Sequence, residues 1–224
     1  MQKEKFQSFI MKISCSGFGI PIFETFIEED TSELLSCKSY TSSSKQIDDN
    51  PDSTVNQHLR VLENYPRIKN ILTDVFYKVV FDQLNCKNNF IMTTSWITNT
   101  GVGEKSEFHN HKNSFYSGVY YFDETYDENI GNLCFENPVN DFTSFFVNFT
   151  SFNHLNALNV SILPEPKKLI LFPSYIKHSI EMNRSKKNRK SLAFNFVPVG
   201  DYGIGDSFMD TSWTKENAYY IKYS

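Results

Sequence analysis

Two histidines two residues apart, His109 and His111, a third at His178, and the pair Arg189 and Ser191 are the residues whose types and spacing could do chemistry. In Glu107-Phe-His-Asn-His111 an extended chain alternates its side chains between two faces, so both imidazoles aim the same way. His178 follows the apolar run Lys168-Leu-Ile-Leu-Phe-Pro-Ser174 and can approach the same cavity from a second strand. Three imidazoles converging from two strands make a site for Fe(II), Zn(II) or Ni(II), with coordination positions left open for a ligand. Downstream, Arg189-Lys-Ser-Leu-Ala-Phe-Asn-Phe-Val197 alternates two kinds of side chain: Arg189, Ser191, Ala193 and Asn195 on one face, Lys190, Leu192, Phe194 and Phe196 on the other. The second face suits packing against a helical layer, which turns Arg189 and Ser191 toward the interior beside the metal. An inward arginine is costly unless an anion meets it. On the residues alone two plainer readings stand beside this one. HxH pairs also occur on sheet surfaces without a metal, and Arg189 also continues the solvated basic turn Arg184-Ser-Lys-Lys-Asn-Arg-Lys190.

The elements that must carry these residues can be read from periodicity. Ile68, Ile71, Leu72, Val75, Phe76, Val79, Val80 and Leu84 recur at three- and four-residue intervals, which predicts a helix with one apolar side. After Asn89 the pattern changes to short runs rich in Val, Ile, Thr, Phe and Tyr. Strands are expected near 90–99, 107–111, 116–122, 132–136, 159–163, 168–172, 177–181 and 190–198, a number and spacing that suit a jelly roll. One edge strand is expected between Lys12 and Phe26, and the polar stretch Ser36 to Asn56 reads as loop. The aromatic, Asn-rich connection from Asn137 to Asn159 is long enough to be a lid or binding loop; it contains His154, and His58 lies beside the predicted helix. Trp96 and Asn99 fall on opposite faces of their strand, so at most one looks inward, whereas Tyr116 and Tyr120 share a face and could line a pocket. The expectation is one domain over 1–224: N-terminal strand, loop and supporting helix (1–89), jelly-roll core (90–198) and C-terminal extension (199–224).

Composition narrows the function. With 224 residues, 40% hydrophobic and 16% aromatic, the chain can bury a sizeable core. A formal net charge of -4 lacks the basic excess that a phosphate backbone would call for, so nucleic acid is not expected as a partner. No apolar run reaches membrane-spanning length and no signal-peptide pattern opens the chain. Cys15, Cys37, Cys86 and Cys134 are scattered without a CxxC pair, so reduced thiols in the cytoplasm are expected. Gly-rich phosphate loops, nucleophile elbows and paired-carboxylate hydrolase signatures do not occur.

Taken together, His109-x-His111, Ser117-Gly-Val-Tyr-Tyr121, Leu171-Phe-Pro-Ser174, His178 and Arg189-x-Ser191 resemble the Fe(II)- and 2-oxoglutarate-dependent oxygenase superfamily, in particular a group known mainly from marine bacteria and their phages. The resemblance runs from about Trp96 to Val197 and implies a double-stranded β-helix, a mainly β fold of α+β class with N-terminal helical support. It implies that His109 and His178 ligate iron and that Arg189 with Ser191 holds the distal carboxylate of 2-oxoglutarate, with Tyr116 and Asn195 beside it. A planar guanidinium pairs bidentately with a carboxylate, and a hydroxyl two residues along the same face adds a further hydrogen bond. The implied activity is a dioxygenase, a hydroxylase by default, that releases succinate and CO2, with ascorbate as a possible reductant. Its location would be the cytoplasm, that of the host if phage-encoded, and its substrate a small molecule or a protein. The superfamily usually has Asp or Glu where this chain has His111, so the third ligand is His111, Glu107 or Glu136, with His111 in the expected position. A second resemblance competes. Gly103 followed by His109-x-His111, and Pro173 before His178, are similar to cupin motifs, although the cupin Glu is missing beyond His111. A cupin-like metalloenzyme or isomerase, or a non-catalytic jelly-roll binding protein, are the alternatives.

Overall fold

The computed structural model describes residues 12–13, 19–37, 41–42, 59–138, 147–153, 156–201 and 203–208. In chain order its strands are β1 (Lys12–Ile13), β2 (Phe23–Phe26), β3 (Thr41–Ser42), β4 (Asn89–Thr100), β5 (Tyr116–Tyr120), β6 (Leu133–Glu136), β7 (Asn159–Ile162), β8 (Lys168–Pro173), β9 (His178–Ile180) and β10 (Arg189–Val199). The helix α1 (Pro66–Leu84) precedes β4. Pro66 starts α1 where its missing N–H costs nothing, and Asn85, at φ 51°, ends it in the left-handed conformation that an Asn tolerates.

Seven strands form a main sheet in the order β1-β2-β8-β5-β10-β4-β3, and three form a smaller sheet in the order β7-β6-β9. The main sheet is antiparallel except where β3 runs parallel to β4, a pairing inside the stretch expected to be loop. From β4 onward the chain crosses repeatedly between the sheets: β4 in the main one, β5 back in it, β6 and β7 in the smaller, β8 in the main, β9 in the smaller, β10 in the main. That winding is the double-stranded β-helix, or jelly roll.

The segment 107–111 differs from expectation. It forms no ladder, only a single bridge between His109 and His178. Backbone bonds still pin it along β9. Gly103 N–H donates to Asn183 O (2.7 Å), Ser106 N–H to Ile180 O (3.0 Å) and His111 N–H to Ser174 O (2.9 Å), while His109 and His178 exchange a pair at 3.0 and 2.8 Å. The segment therefore acts as a fourth row of the smaller sheet.

Two apolar layers flank the main sheet. On its outer face Ile68, Leu72, Val75, Phe76 and Val79 of α1 pack with Leu192, Phe194 and Phe196 of β10. Phe76 stacks on Phe196 with ring centroids 3.8 Å apart and meets Phe90 and Tyr116 edge-on. Gly118 is required here, because a Cβ would lie 2.3 Å from the Phe194 ring that crosses it. Between the sheets lie Val119, Tyr121, Leu133, Phe135, Ile162, Ile170, Phe172 and Ile176. Strand alternation thus sends Tyr116 and Tyr120 to the helix side and Ser117, Val119 and Tyr121 inward. Tyr116, expected beside the cosubstrate, is corrected on this ground: its ring belongs to the outer layer. No helix among the described residues is long and apolar enough to cross a membrane. His58, His154, Cys15, residues 43–56, part of the lid candidate (139–146 and 154–155) and residues 209–224 lie outside the described residues.

Candidate metal and carboxylate site

Two elements bring the histidines together. The pinned segment before β5 supplies exposed His109 and half-buried His111, and β9 supplies buried His178. Their candidate ligand atoms all lie within 4.8 Å of one another. Nitrogens sharing one ion at adjacent positions stand about 3 Å apart given metal–nitrogen bonds of about 2.1 Å, so small side-chain adjustments suffice.

The hydrogen bonds of the rings decide which nitrogen faces the centre. His109 Nδ1 donates to Glu107 O (2.9 Å) and His178 Nδ1 to Ile176 O (3.0 Å), both backbone carbonyls that can only accept. His111 Nδ1 donates to Asn195 Oδ1 (2.8 Å), an oxygen that Ser117 Oγ also meets at 2.8 Å, while Asn195 Nδ2 donates to Thr94 Oγ1 (2.9 Å). Ser117 Oγ lies 2.9 Å from His111 Nδ1 and 2.8 Å from Ser174 Oγ, which closes the cluster. All three rings therefore carry hydrogen on Nδ1 and keep a lone pair on Nε2, the state of a metal ligand steered by its surroundings. Burial, then the neighbouring His109 and His111, push the His178 imidazole down to about 3, and burial lowers His111 as well. Both rings are neutral, and so ligand-competent, at neutral pH.

The carboxylate alternatives do not join this cluster. Glu107 is exposed and pairs with Lys105 at 3.0 Å, and Glu136 pairs with Lys177 at 3.2 Å. Asn195, expected at the cosubstrate, has its amide engaged by His111, Ser117 and Thr94 instead, because the pairing of β10 with β4 and β5 sets it between those side chains. Trp96 is the inward member of its pair with Asn99. It lies opposite Ala193 across β4 and β10, and its ring meets His111 edge-on at 5.5 Å.

Arg189 opens β10 on the inner face and is wholly buried, at 0% exposure. Its Nη2 donates to Tyr121 Oη (2.7 Å), and its guanidinium carbon lies 5.1 Å from the centre of the Tyr121 ring. Its Nε and Nη1 are buried without a hydrogen-bond partner, and no ion pair to Arg189 occurs among the described residues. A buried cation with two orphaned donors is in deficit by one anion. Ser191 is also buried, two residues along the same strand. Tyr121, which touches Arg189, belongs to the same inner layer as Phe135 and Phe172, which flank His178. The histidine cluster and the guanidinium thus border one layer between the sheets. The residues fit both groups: three imidazoles for a divalent first-row metal, and an uncompensated guanidinium for the carboxylate of a diacid.

Residues 94–195 match the model of a family described as "Putative 2OG-Fe(II) oxygenase". That match spans 102 of the 224 residues and includes every one of the histidines and strand residues from which the site is built. Among solved structures, a 2OG-Fe(II) oxygenase-family oxidoreductase from Burkholderia pseudomallei is similar at 10% identity and TM-score 0.45, over 84% of this chain and 71% of that one. HygX from Streptomyces hygroscopicus is similar in its apo form at 13% identity and TM-score 0.47, over 75% of each chain. Its iron-bound form is similar at 12% identity and TM-score 0.43, over 60% of this chain and 67% of that one. No curated protein matches the chain.

Sequence reasoning passed over Ser117, Ser174 and Tyr121, although each stands in a motif it quoted. Which parity of β5 faces inward depends on its register with β10, and that register is a tertiary fact.

Proposed function

We propose that this protein is an Fe(II)- and 2-oxoglutarate-dependent oxygenase, a hydroxylase in which His109, His111 and His178 hold the iron, while Arg189 and Ser191 hold the distal carboxylate of 2-oxoglutarate. The observation that carries this reading is the buried guanidinium of Arg189, left without an anion on the strand face whose far end, at Asn195, positions His111. Fe(II) with 2-oxoglutarate and O2 supplies the oxidising power, releasing succinate and CO2. The chain supplies position and shielding. The carbonyls of Glu107 and Ile176 and the amide of Asn195 hold each Nδ1–H, so that three Nε2 lone pairs converge. Arg189 fixes the far end of the cosubstrate, and the apolar layer of Val119, Phe135, Ile170 and Phe172 keeps bulk water away from the reacting centre. Half-buried Trp96, beside His111, is placed to border the substrate.

A three-histidine site carries one more positive charge than a two-histidine, one-carboxylate site, and dianionic 2-oxoglutarate offsets it. Cys37, Cys86 and Cys134 form no disulfide among the described residues, in keeping with a cytoplasmic setting, and the substrate would be a small molecule or a protein rather than nucleic acid or membrane. Succinate formation from 2-oxoglutarate with Fe(II) and ascorbate, lost in His178→Ala and Arg189→Ala, tests the reading. Metal-dependent turnover indifferent to 2-oxoglutarate would replace it with a cupin-like one.

A further inference from the structure

The side-chain amide of Asn195 has two different ends, and the ligand state of His111 depends on which of them faces the ring. With Oδ1 toward it, as here, His111 Nδ1–H donates at 2.8 Å and Nε2 keeps its lone pair. With the amide turned over, Nδ2 would donate to Nδ1, and the ring hydrogen would sit on Nε2, which then cannot ligate. Thr94 does not choose between the two. Its hydroxyl accepts from Asn195 Nδ2 (2.9 Å) in this arrangement and could donate to Oδ1 in the other.

Ser117 does choose. It is the direct partner of Asn195 across β5 and β10, and His111 is held beside both because its N–H donates to Ser174 O at 2.9 Å. Ser117 Oγ lies 2.8 Å from Asn195 Oδ1 and 2.9 Å from His111 Nδ1, so the three atoms form a nearly equilateral triangle. Seen from the amide atom, the ring and the hydroxyl stand about 60° apart. An oxygen accepts from both, since acceptance is broad in angle, whereas an NH2 group with hydrogens about 120° apart cannot aim at both. Ser117 has one hydrogen, which goes to Oδ1, so Ser174 Oγ donates to Ser117 Oγ at 2.8 Å. Ser117 and Ser174 are 1% and 0% exposed, so a bond given up here is not replaced by bulk water. The turned-over amide would keep its bonds to His111 and Thr94 and lose the one to Ser117.

Resting on the proposed iron site, we infer that Ser117 is a positioning residue that holds His111 in its ligand-competent tautomer before any metal arrives, acting through the amide of Asn195. A hydroxyl in β5 thereby fixes the hydrogen of a ring that the pinned segment before β5 only places.

The test reads the tautomer directly, by long-range proton–nitrogen NMR of the metal-free protein at about pH 8, where an ordinary imidazole is neutral. His111 is assigned by the signals lost in His111→Gln. One buried hydrogen bond predicts that the wild type favours Nδ1–H over Nε2–H by roughly tenfold. Ser117→Ala removes the deciding bond and leaves both arrangements equally satisfied. The ratio should fall to about 1, and Zn(II) affinity should drop about twofold with the competent fraction. Ser174→Ala removes an equally buried hydroxyl from the same cluster but spares the bond from Ser117 to Asn195, and should keep the wild-type ratio. A wild-type His111 on Nε2–H, an unchanged ratio in Ser117→Ala, or an equal fall in Ser174→Ala overturns the inference. Zn(II) that leaves all three ring spectra unmoved overturns the metal site, and with it the role given to Ser117, even where the tautomer ratios follow expectation.

Discussion

Lys168 and Arg189 are both buried cations that open interior strands of the main sheet, and they are buried in opposite ways. Lys168, 5% exposed, has Glu24 Oε2 at 3.6 Å, an ion pair with Glu165 and the Leu163 carbonyl at 3.1 Å. Its charge is met inside the chain, and the residue ties β2, β8 and the turn before β8 together. Arg189 has one tyrosine hydroxyl and no carboxylate. A cation satisfied by the fold supports the fold, whereas a cation that the fold leaves unsatisfied is a binding site maintained at a cost in stability.

Replacing each cation by an apolar side chain should separate the two roles. Arg189→Met removes the charge that the distal carboxylate would meet and is expected to weaken anaerobic 2-oxoglutarate binding by roughly 100-fold or more. The melting temperature of the metal-free protein should hold or rise, since an unpaired buried charge is gone. A fall in stability with binding intact, seen by calorimetry, would reverse the assignment. The metal end gives the next effect in size. Asn195→Ala frees the His111 ring and should cost roughly 10- to 100-fold in Fe(II) affinity, measured by competition with a chelator. Lys168→Met should lower unfolding free energy by about 2 kcal/mol, less than for a fully buried pair because Glu165 is half exposed, and leave 2-oxoglutarate affinity unchanged. Chemical denaturation and ligand titration on one sample decide both points.

The smallest effect is on pH dependence. The folded state holds His178 and His111 below their ordinary value, so the unfolded chain binds more protons as pH falls below about 6.5. Their contribution to stability is complete above that pH and is lost as pH drops toward the folded value of about 3 for His178. From pH 6.5 to 5.5 the metal-free protein should lose at most about 1.4 kcal/mol for each proton excluded. A His178→Gln variant should have a flatter profile. An unchanged slope would place these protons elsewhere.

Much of this was legible in the residues. The three- and four-residue spacing from Ile68 to Leu84 marked the helix, and the alternation from Arg189 to Phe196 assigned both faces of β10, because helix and strand periods are local properties of the chain. The motif residues likewise pointed to three imidazoles and a guanidinium before any coordinates. Parity on β5 was not legible. Tyr116 and Tyr121 are five residues apart and equally aromatic, and only the pairing of Gly118 with Phe194 puts the first against α1 and the second against Arg189. Nor could spacing show that Glu107 and Glu136 pair with lysines, or reveal that Asn195 serves a histidine. Those outcomes depend on which side chains from distant strands meet, and strand register is set by contacts across the whole sheet, not by neighbours along the chain.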